Sequence, residues 1–242
     1  MFRYGFIFVN TNSGIKTPKE LEGKRVGVPE FRQTAAVWVK GILQHDYGVD
    51  LTTIRWVEGG LYAARPRDML DLKPEGPFSL KFAPEGRSLD DMLEKGELDA
   101  LLGAERPRSF GAYPQVQRLF PNYREVERKY YLNTGIFPIM HTMVLKESLY
   151  REQPWVAQSV YKAMVEAKGW VLDRIWGTGG SLRFMLLWLW DDLEKMGELF
   201  GGDAWPYGLE SNRHTLETLM EYMVEQGLMP RRVPLEELFE AV

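Results

Sequence analysis

The chain has 242 residues, of which 45% are hydrophobic and 26% charged, with a formal net charge of −4 and no cysteine. This length buries a large core, and the balance excludes disordered and fibrous classes. The net negative charge, with no lysine or arginine run longer than a pair, offers no basic field for a nucleic-acid backbone. The absence of cysteine removes disulfides, thiolate nucleophiles and cysteine-ligated zinc or iron–sulfur sites. The first ten residues lack a basic n-region, a long apolar core and a small-residue cleavage site, so the sequence reads as cytoplasmic. The apolar run Phe184 to Trp190 is too short to span a bilayer. It reads as a buried helix or as one that packs on a second copy, which makes a homo-oligomer the expectation.

Residues 2–10 alternate with a period of two and are apolar on both faces, which predicts an internal strand. Asn10 to Gly14 turns the chain. Thr17-Pro18-Lys19-Glu20 is a capping box with proline at the first helical position, and Gly23 ends that single turn. Arg25 to Val28 predicts a buried strand. Pro29 breaks it, and a helix restarts near Thr34 with Ala35, Trp38, Val39 and Ile42 as its apolar stripe.

Thr53 to Val57 predicts another strand. The stretch 59–87, with four prolines and four glycines, reads as a long loop with a short strand at Ser79 to Phe82. Ser88 caps a helix that ends at Lys95-Gly96, and Leu98 to Leu102 predicts the next strand. The alternation argues a mostly parallel sheet with helices on its faces. Val126 to Tyr131 is a short amphipathic segment, and Thr142 to Leu145 is extended. Long helices are expected over Trp155 to Ile175 and Leu182 to Leu199, then a turn at Trp205 to Gly208, a helix from Arg213 to Gln226, and Val233 to Phe239. Most tryptophans read as core.

The stretch from Gly23 to Trp38 stands out on local grounds. A strand, a loop and a helix N-terminus leave unpaired backbone N–H groups with the positive end of the helix dipole behind them, a setting for a carboxylate or phosphate, and Arg32 stands beside it. The same features occur in many α/β proteins without a ligand. Glu105 to Phe110 leaves the end of a second strand, where open α/β sheets place ligands.

Four stretches carry a resemblance beyond this. The segment Thr17 to Val28 resembles the part of type 2 periplasmic-binding-protein folds where a crossing strand leads into the second lobe. In order, Pro29-Glu30-Phe31-Arg32-Gln33-Thr34-Ala35-Ala36-Val37-Trp38, Thr134-Gly135-Ile136-Phe137-Pro138-Ile139-Met140-His141 and Trp205-Pro206-Tyr207-Gly208-Leu209-Glu210-Ser211-Asn212-Arg213 resemble the 4,5-dihydroxyphthalate decarboxylase family. The resemblance runs through nearly the whole chain. It implies a two-lobed α/β fold with mixed, mostly parallel sheets flanked by helices. Residues 1–10 would form the crossing strand, 11–140 the second lobe, and 141–242 the return crossover and C-terminal helical part of the first lobe. Family members carry a further β-α-β segment ahead of the Phe2-Arg3-Tyr4-Gly5 strand, so the first lobe is expected to be incomplete here.

The implied reaction converts 4,5-dihydroxyphthalate to 3,4-dihydroxybenzoate and carbon dioxide without a redox cofactor. It needs a proton donor at the ring carbon, cations or N–H groups for the carboxylate that stays, and an acceptor for the phenolic proton. His141 is the candidate donor, since histidine holds and gives a proton near neutral pH; otherwise its ring packs under the crossover. Arg32, Gln33 and Thr34 are candidates for one carboxylate, and Arg106 and Arg108 for the second, because arginine's fork matches a carboxylate. Glu30 would take the phenolic proton or pair with an arginine. Three histidines without metal-ligand spacing point to no dedicated metal site, which leaves room only for a loosely bound divalent cation. The expected partner is a small aromatic carboxylate, with neither nucleic acid nor membrane. A solute-binding protein for such a carboxylate, doing no chemistry, is the competing reading.

Overall fold

The alternation of short apolar strands with capped helices becomes one six-stranded sheet in the computed structural model, which describes residues 1–64, 74–177 and 186–240. The strands are β1 (Ile7–Asn10), β2 (Arg25–Val28), β3 (Arg55–Glu58), β4 (Ser79–Phe82), β5 (Ala100–Leu102) and β6 (Val116–Arg118). Their order is β4-β3-β2-β5-β1-β6. The first four in that order run parallel, and β1 lies antiparallel to both β5 and β6. The sheet belongs to a unit made of Met1–Met140 and Thr215–Val233.

Each central strand is apolar on both faces because both faces are covered. On one side Ile7, Val9, Val26, Val28, Ala100 and Leu102 join Trp38, Val39, Ile42 and Leu43 of α1 (Thr34–Tyr47) in one core. On the other side Phe8 and Leu101 meet Leu89, Met92 and Leu93 of α2 (Leu89–Glu94). Full burial of a side chain of this kind contributes roughly 1.5–3 kcal/mol. Gly27 faces α2, and a β-carbon there would stand 2.6 Å from Leu98. Any larger residue there would have to displace the Leu98 side chain.

The far end of α1 is closed by the segment 215–225 of α7 (Leu209–Glu225). Gly41 makes this possible, since a β-carbon there would lie 2.0 Å from the Tyr222 ring. The buried Gln226 side chain then donates to Val37 O at 2.9 Å, and His45 Nε2 sits 2.7 Å from Glu225 Oε2. His45 therefore ties two helices together rather than only capping its own.

The other unit comprises His141–His214 and Pro234–Val242. It holds α4 (Glu147–Glu152), α5 (Trp155–Trp176), α6 (Leu189–Phe200), the start of α7 and α8 (Leu235–Leu238). Lys168 on α5 bonds Asp203 Oδ2 at 2.7 Å and Trp205 O at 2.9 Å. Arg213 bridges Glu210 and Glu236. No residue of α5 is buried.

Several expectations change. Residues 4–6 form a 3₁₀ turn closed by Phe6 N donating to Arg3 O, so the first strand starts at Ile7. The sheet is mixed and mostly parallel as expected, with β1 alone running against the others, and β6, too short to show a period, is an added strand. The helix expected at Val126 to Tyr131 is α3 (Tyr123–Thr134), stopped by Gly135 in the left-handed region. Leu186, Leu187 and Trp188 are exposed, so this part of the 184–190 run is not a buried helix. Phe184 and Met185, and the start of the helix expected from Leu182, lie outside the described residues. Trp38 and Trp56 are core, whereas Trp155, Trp170, Trp176, Trp188, Trp190 and Trp205 are exposed. Apolar spacing on α5 is a helix signal, and here it does not report burial.

Two expectations concern pH. Asp99, buried at the edge where β2 and β5 begin, accepts Arg25 N (2.8 Å), Nε (3.0 Å) and Nη2 (2.7 Å). Burial pushes its carboxyl up, but the hydrogen bonds from Arg25 outweigh this and hold it below its ordinary value. The stabilisation is present above about pH 4 and is lost as pH falls through the lower folded-state value. Asp99→Asn should cost roughly 1.5–3 kcal/mol near neutral pH and much less in acid, as denaturant unfolding will show.

Glu127 on α3 behaves in the opposite sense. Burial pushes its carboxyl up to about 7, against backbone hydrogen bonds from Gly5 and Tyr4. The folded state binds the extra proton, so stability falls as pH rises from about 4.5 to about 7. Glu127→Gln should flatten that slope in unfolding curves recorded at pH 5 and pH 8.

Candidate carboxylate site

The four parallel strands end on one edge of the sheet, at Val28, Glu58, Phe82 and Leu102. From β2 the chain moves outward to β3 and β4, then returns to β5 on the other flank of β2. Loops leaving β2 and β5 therefore head in opposite directions, the topological setting in which open α/β sheets take ligands. The two loops touch at their bases, since a β-carbon on Gly103 would lie 3.6 Å from Pro29 Cγ. Because β1 is antiparallel to β5, the residues ahead of Ile7 reach this same edge.

The β2–α1 loop is held from beneath. Phe31 N donates to Glu58 Oε2 at 2.8 Å, and Lys40 Nζ donates to Phe31 O at 2.8 Å. Lys40 is completely buried, with its ammonium 3.1 Å from the centre of the Phe31 ring. Burial pushes its pKa well below the ordinary value, and Glu58 acts the other way. The Phe31 ring also meets Trp56 edge-on and packs on Phe78.

Above this base come the candidate ligand-binding groups. Gln33 is the N-cap of α1 but its side chain does not cap, and the first helical bond runs from Val37 N to Gln33 O at 2.9 Å. The first-turn amides thus keep their direction away from the helix body. Gln33 Oε1 is buried and, among the described residues, has no hydrogen-bond partner. Arg32 Nη2 stands 3.9 Å from Glu30 Oε1, the outer limit of an ion pair.

The β5–β6 loop has its own fixings. Asp90, buried on the first turn of α2, accepts Arg108 N at 3.0 Å, Ser109 N at 3.1 Å and the Ser109 hydroxyl. Tyr62 OH donates to Arg106 O at 2.8 Å, and the Arg108 guanidinium lies 4.5 Å from the centre of the Tyr62 ring. Arg106 and Arg108 are exposed, and neither is in an ion pair among the described residues. Arg3, only 7% exposed, donates through Nη1 to Ala104 O at 3.3 Å. Its Nε finds no partner among the described residues.

The structure thus brings Glu30, Arg32, Gln33 and Thr34 to one loop and Arg106 and Arg108 to the loop adjoining it. His141 is the first residue of the other unit and is exposed, with no hydrogen bond at its ring among the described residues. No group of three histidine, aspartate or glutamate side chains suited to a metal ion occurs among the described residues. Lys40, Glu58, Asp90, Tyr62 and Arg3 are additions to the candidates read from sequence. Two carried a signal there: Lys40 lies on the helix stripe of Ala36 and Leu43, and Glu58 shares the strand face of buried Trp56.

Together these features define an α/β protein whose sheet presents two arginine-bearing loops at the carboxyl ends of its parallel strands. The chain is 36% identical over 240 residues to a 4,5-dihydroxyphthalate decarboxylase from Comamonas testosteroni, an alignment covering 98% of this chain and 72% of that protein. It is 37% identical over 120 residues to a 4,5-dihydroxyphthalate decarboxylase from Pseudomonas putida, covering 49% of this chain and 46% of the other. The chain belongs to the 4,5-dihydroxyphthalate decarboxylase family. No protein-family model matches it, and no helix among the described residues is long and apolar enough to cross a membrane.

Asp90→Asn tests the fixing of the arginine loop. It places an amide donor against at least one backbone N–H, leaving a buried donor unsatisfied at a cost of roughly 2 kcal/mol. The melting temperature should fall by about 4–8 °C for a domain of this size, as calorimetry will register.

Proposed function

We propose that this protein decarboxylates 4,5-dihydroxyphthalate to 3,4-dihydroxybenzoate and carbon dioxide. The observation that carries the reading is the 36% identity to a protein of that name across 98% of the chain. The site chemistry supports it, because two adjoining loops offer arginines and helix amides suited to a ring with two neighbouring carboxylates.

Each carboxylate of the substrate lies para to a hydroxyl. A proton delivered to the ring carbon bearing the leaving carboxylate makes a cation that the para oxygen stabilises. The carbon–carboxylate bond then breaks, its electron pair returns to the ring, and aromaticity is restored. In this reading Arg32, Thr34 and the first-turn amides hold the carboxylate that stays. Arg106 or Arg108 holds the one that leaves until protonation, and Glu30 accepts the phenolic hydrogen bond. His141, with its exposed imidazole, supplies the proton. No electron enters or leaves overall, so the reaction asks for no redox cofactor. The two-lobed type 2 periplasmic-binding-protein-like architecture is the part of the reading that the sheet order and family membership support without reaching it directly.

The test is to incubate the purified protein with 4,5-dihydroxyphthalate and follow 3,4-dihydroxybenzoate by chromatography. Turnover is expected. His141→Gln should lower kcat by about 10²–10⁴-fold, the usual worth of a positioned acid. Arg32→Gln should raise KM by roughly 10–100-fold, the effect of losing a hydrogen-bonded charge. Tight binding without product in the parent would mean a solute binder instead.

A further inference from the structure

Residue 31 is held in an unusual way. Its backbone N–H is taken by a side chain of β3 and its carbonyl by a side chain of α1, both at 2.8 Å. The groups that do this are a carboxylate only 8% exposed and an ammonium with no exposure at all. Glu58 and Lys40 are in no ion pair with each other among the described residues. Phe31 lies between them, its N–H bonded to the carboxylate and its carbonyl to the ammonium.

Burying a charge is costly, and hydrophobic residues of similar size commonly serve stability as well or better. The buried pair needs another role. One is visible in what Phe31 precedes: Arg32, Gln33 and Thr34, the side chains and amides at the mouth of the β2–α1 junction. A loop after Pro29 has soft dihedrals of its own, and nothing else bonds both backbone groups of residue 31. With both fixed and the ring clamped against Trp56 and Phe78, the direction of the following residues is set before any ligand arrives. Pre-setting a binding loop removes the ordering cost from the binding step.

We propose that Lys40 and Glu58 are positioning residues for carboxylate binding, acting through the Phe31 backbone on Arg32 and the first turn of α1. The assignment rests on the reading that this junction receives a substrate carboxylate. Neither residue touches the ligand. Their contribution is to the affinity of the junction and not to the chemical step.

The experiment compares the parent with Lys40→Met, which keeps length and removes the donor, and with Glu58→Val, which removes the acceptor. Glu58→Gln, which retains an acceptor oxygen, is the conservative control. Three readouts are taken at a temperature where circular dichroism shows each variant folded. These are KM and kcat with 4,5-dihydroxyphthalate, phthalate binding by calorimetry, and hydrogen exchange of the amides of residues 31–36.

Lys40→Met and Glu58→Val should raise KM and the phthalate Kd about tenfold or more while kcat changes by less than about threefold. Exchange at residues 31–36 should quicken in both. Glu58→Gln should recover most of the binding lost in Glu58→Val. A folded Lys40→Met or Glu58→Val with parental KM, Kd and exchange overturns the proposal, and so does a fall in kcat at constant KM. If Lys40→Met does not fold, the two Glu58 variants decide alone. A parent that binds phthalate but gives no product overturns the decarboxylase reading and leaves the positioning role to be judged by Kd and exchange. A parent that binds neither compound overturns both.

Discussion

The constraint on which the rest depends is the position of β5, parallel to β2 on one side and antiparallel to β1 on the other. Three strands meet there, and each is buried on both faces. The outward progression from β2 to β3 and β4 and the return to β5 is what makes the loops after β2 and β5 diverge above the sheet. The antiparallel β1 then brings its N-terminal approach, with Arg3, to the same edge. A purely parallel sheet in chain order would supply no such divergence. The placing of these loops is thus a consequence of strand order, in a sheet whose central strands are buried between two layers.

On that frame the two edges of the sheet use charge differently. At the edge where β2 and β5 begin, Arg25 and Asp99 satisfy each other with three hydrogen bonds, and Arg25 reaches Gly96 O as well. Such a pair has little left to offer a ligand. At the carboxyl edge the carboxylates that are buried, Glu58 and Asp90, bond backbone N–H groups. The arginines of that edge lie over aromatic rings or at the outer limit of an ion pair. A guanidinium over a ring keeps its hydrogen-bonding fork available, because the ring meets the face of the cation and not its N–H groups.

Legibility in the sequence followed the physical range of each interaction. The strand Arg25 to Val28, the helix from Thr34 and the Thr17 to Glu20 capping box were readable because each is made by neighbours. Thr17 N indeed donates to Glu20 Oε2 at 2.8 Å. The resemblance carried by three separated stretches gave the family, which no single spacing could have done. What escaped was set by distant partners. Three-residue β6 forms only because β1 is beside it. The Phe31 contacts join residues 27 and 9 positions apart, and the Asp90 contacts span 18 and 19. A lysine on a helix stripe or a glutamate on an inward strand face is a visible anomaly, but its partner is a backbone group, and backbone groups leave no mark in a sequence.

The same reasoning separates the candidate residues by how they are held. Arg32, Gln33 and Thr34 follow a residue whose backbone N–H and carbonyl are both bonded by side chains, and Arg106 and Arg108 sit in a loop bonded at Ala104, Arg106, Arg108 and Ser109. Three of the anchors, Glu58, Lys40 and Asp90, are buried side chains on a strand and two helices, the arrangement that keeps a ligand-binding group within the narrow tolerance that recognition demands. His141 is of another kind: an exposed imidazole at the start of the other unit, followed by an extended stretch without regular structure. Holding a carboxylate requires fixed direction, since two oxygens must meet specific N–H groups. In the proposed function the two anchored loops therefore serve the carboxylate half of the chemistry, and the proton-transfer half is assigned to His141.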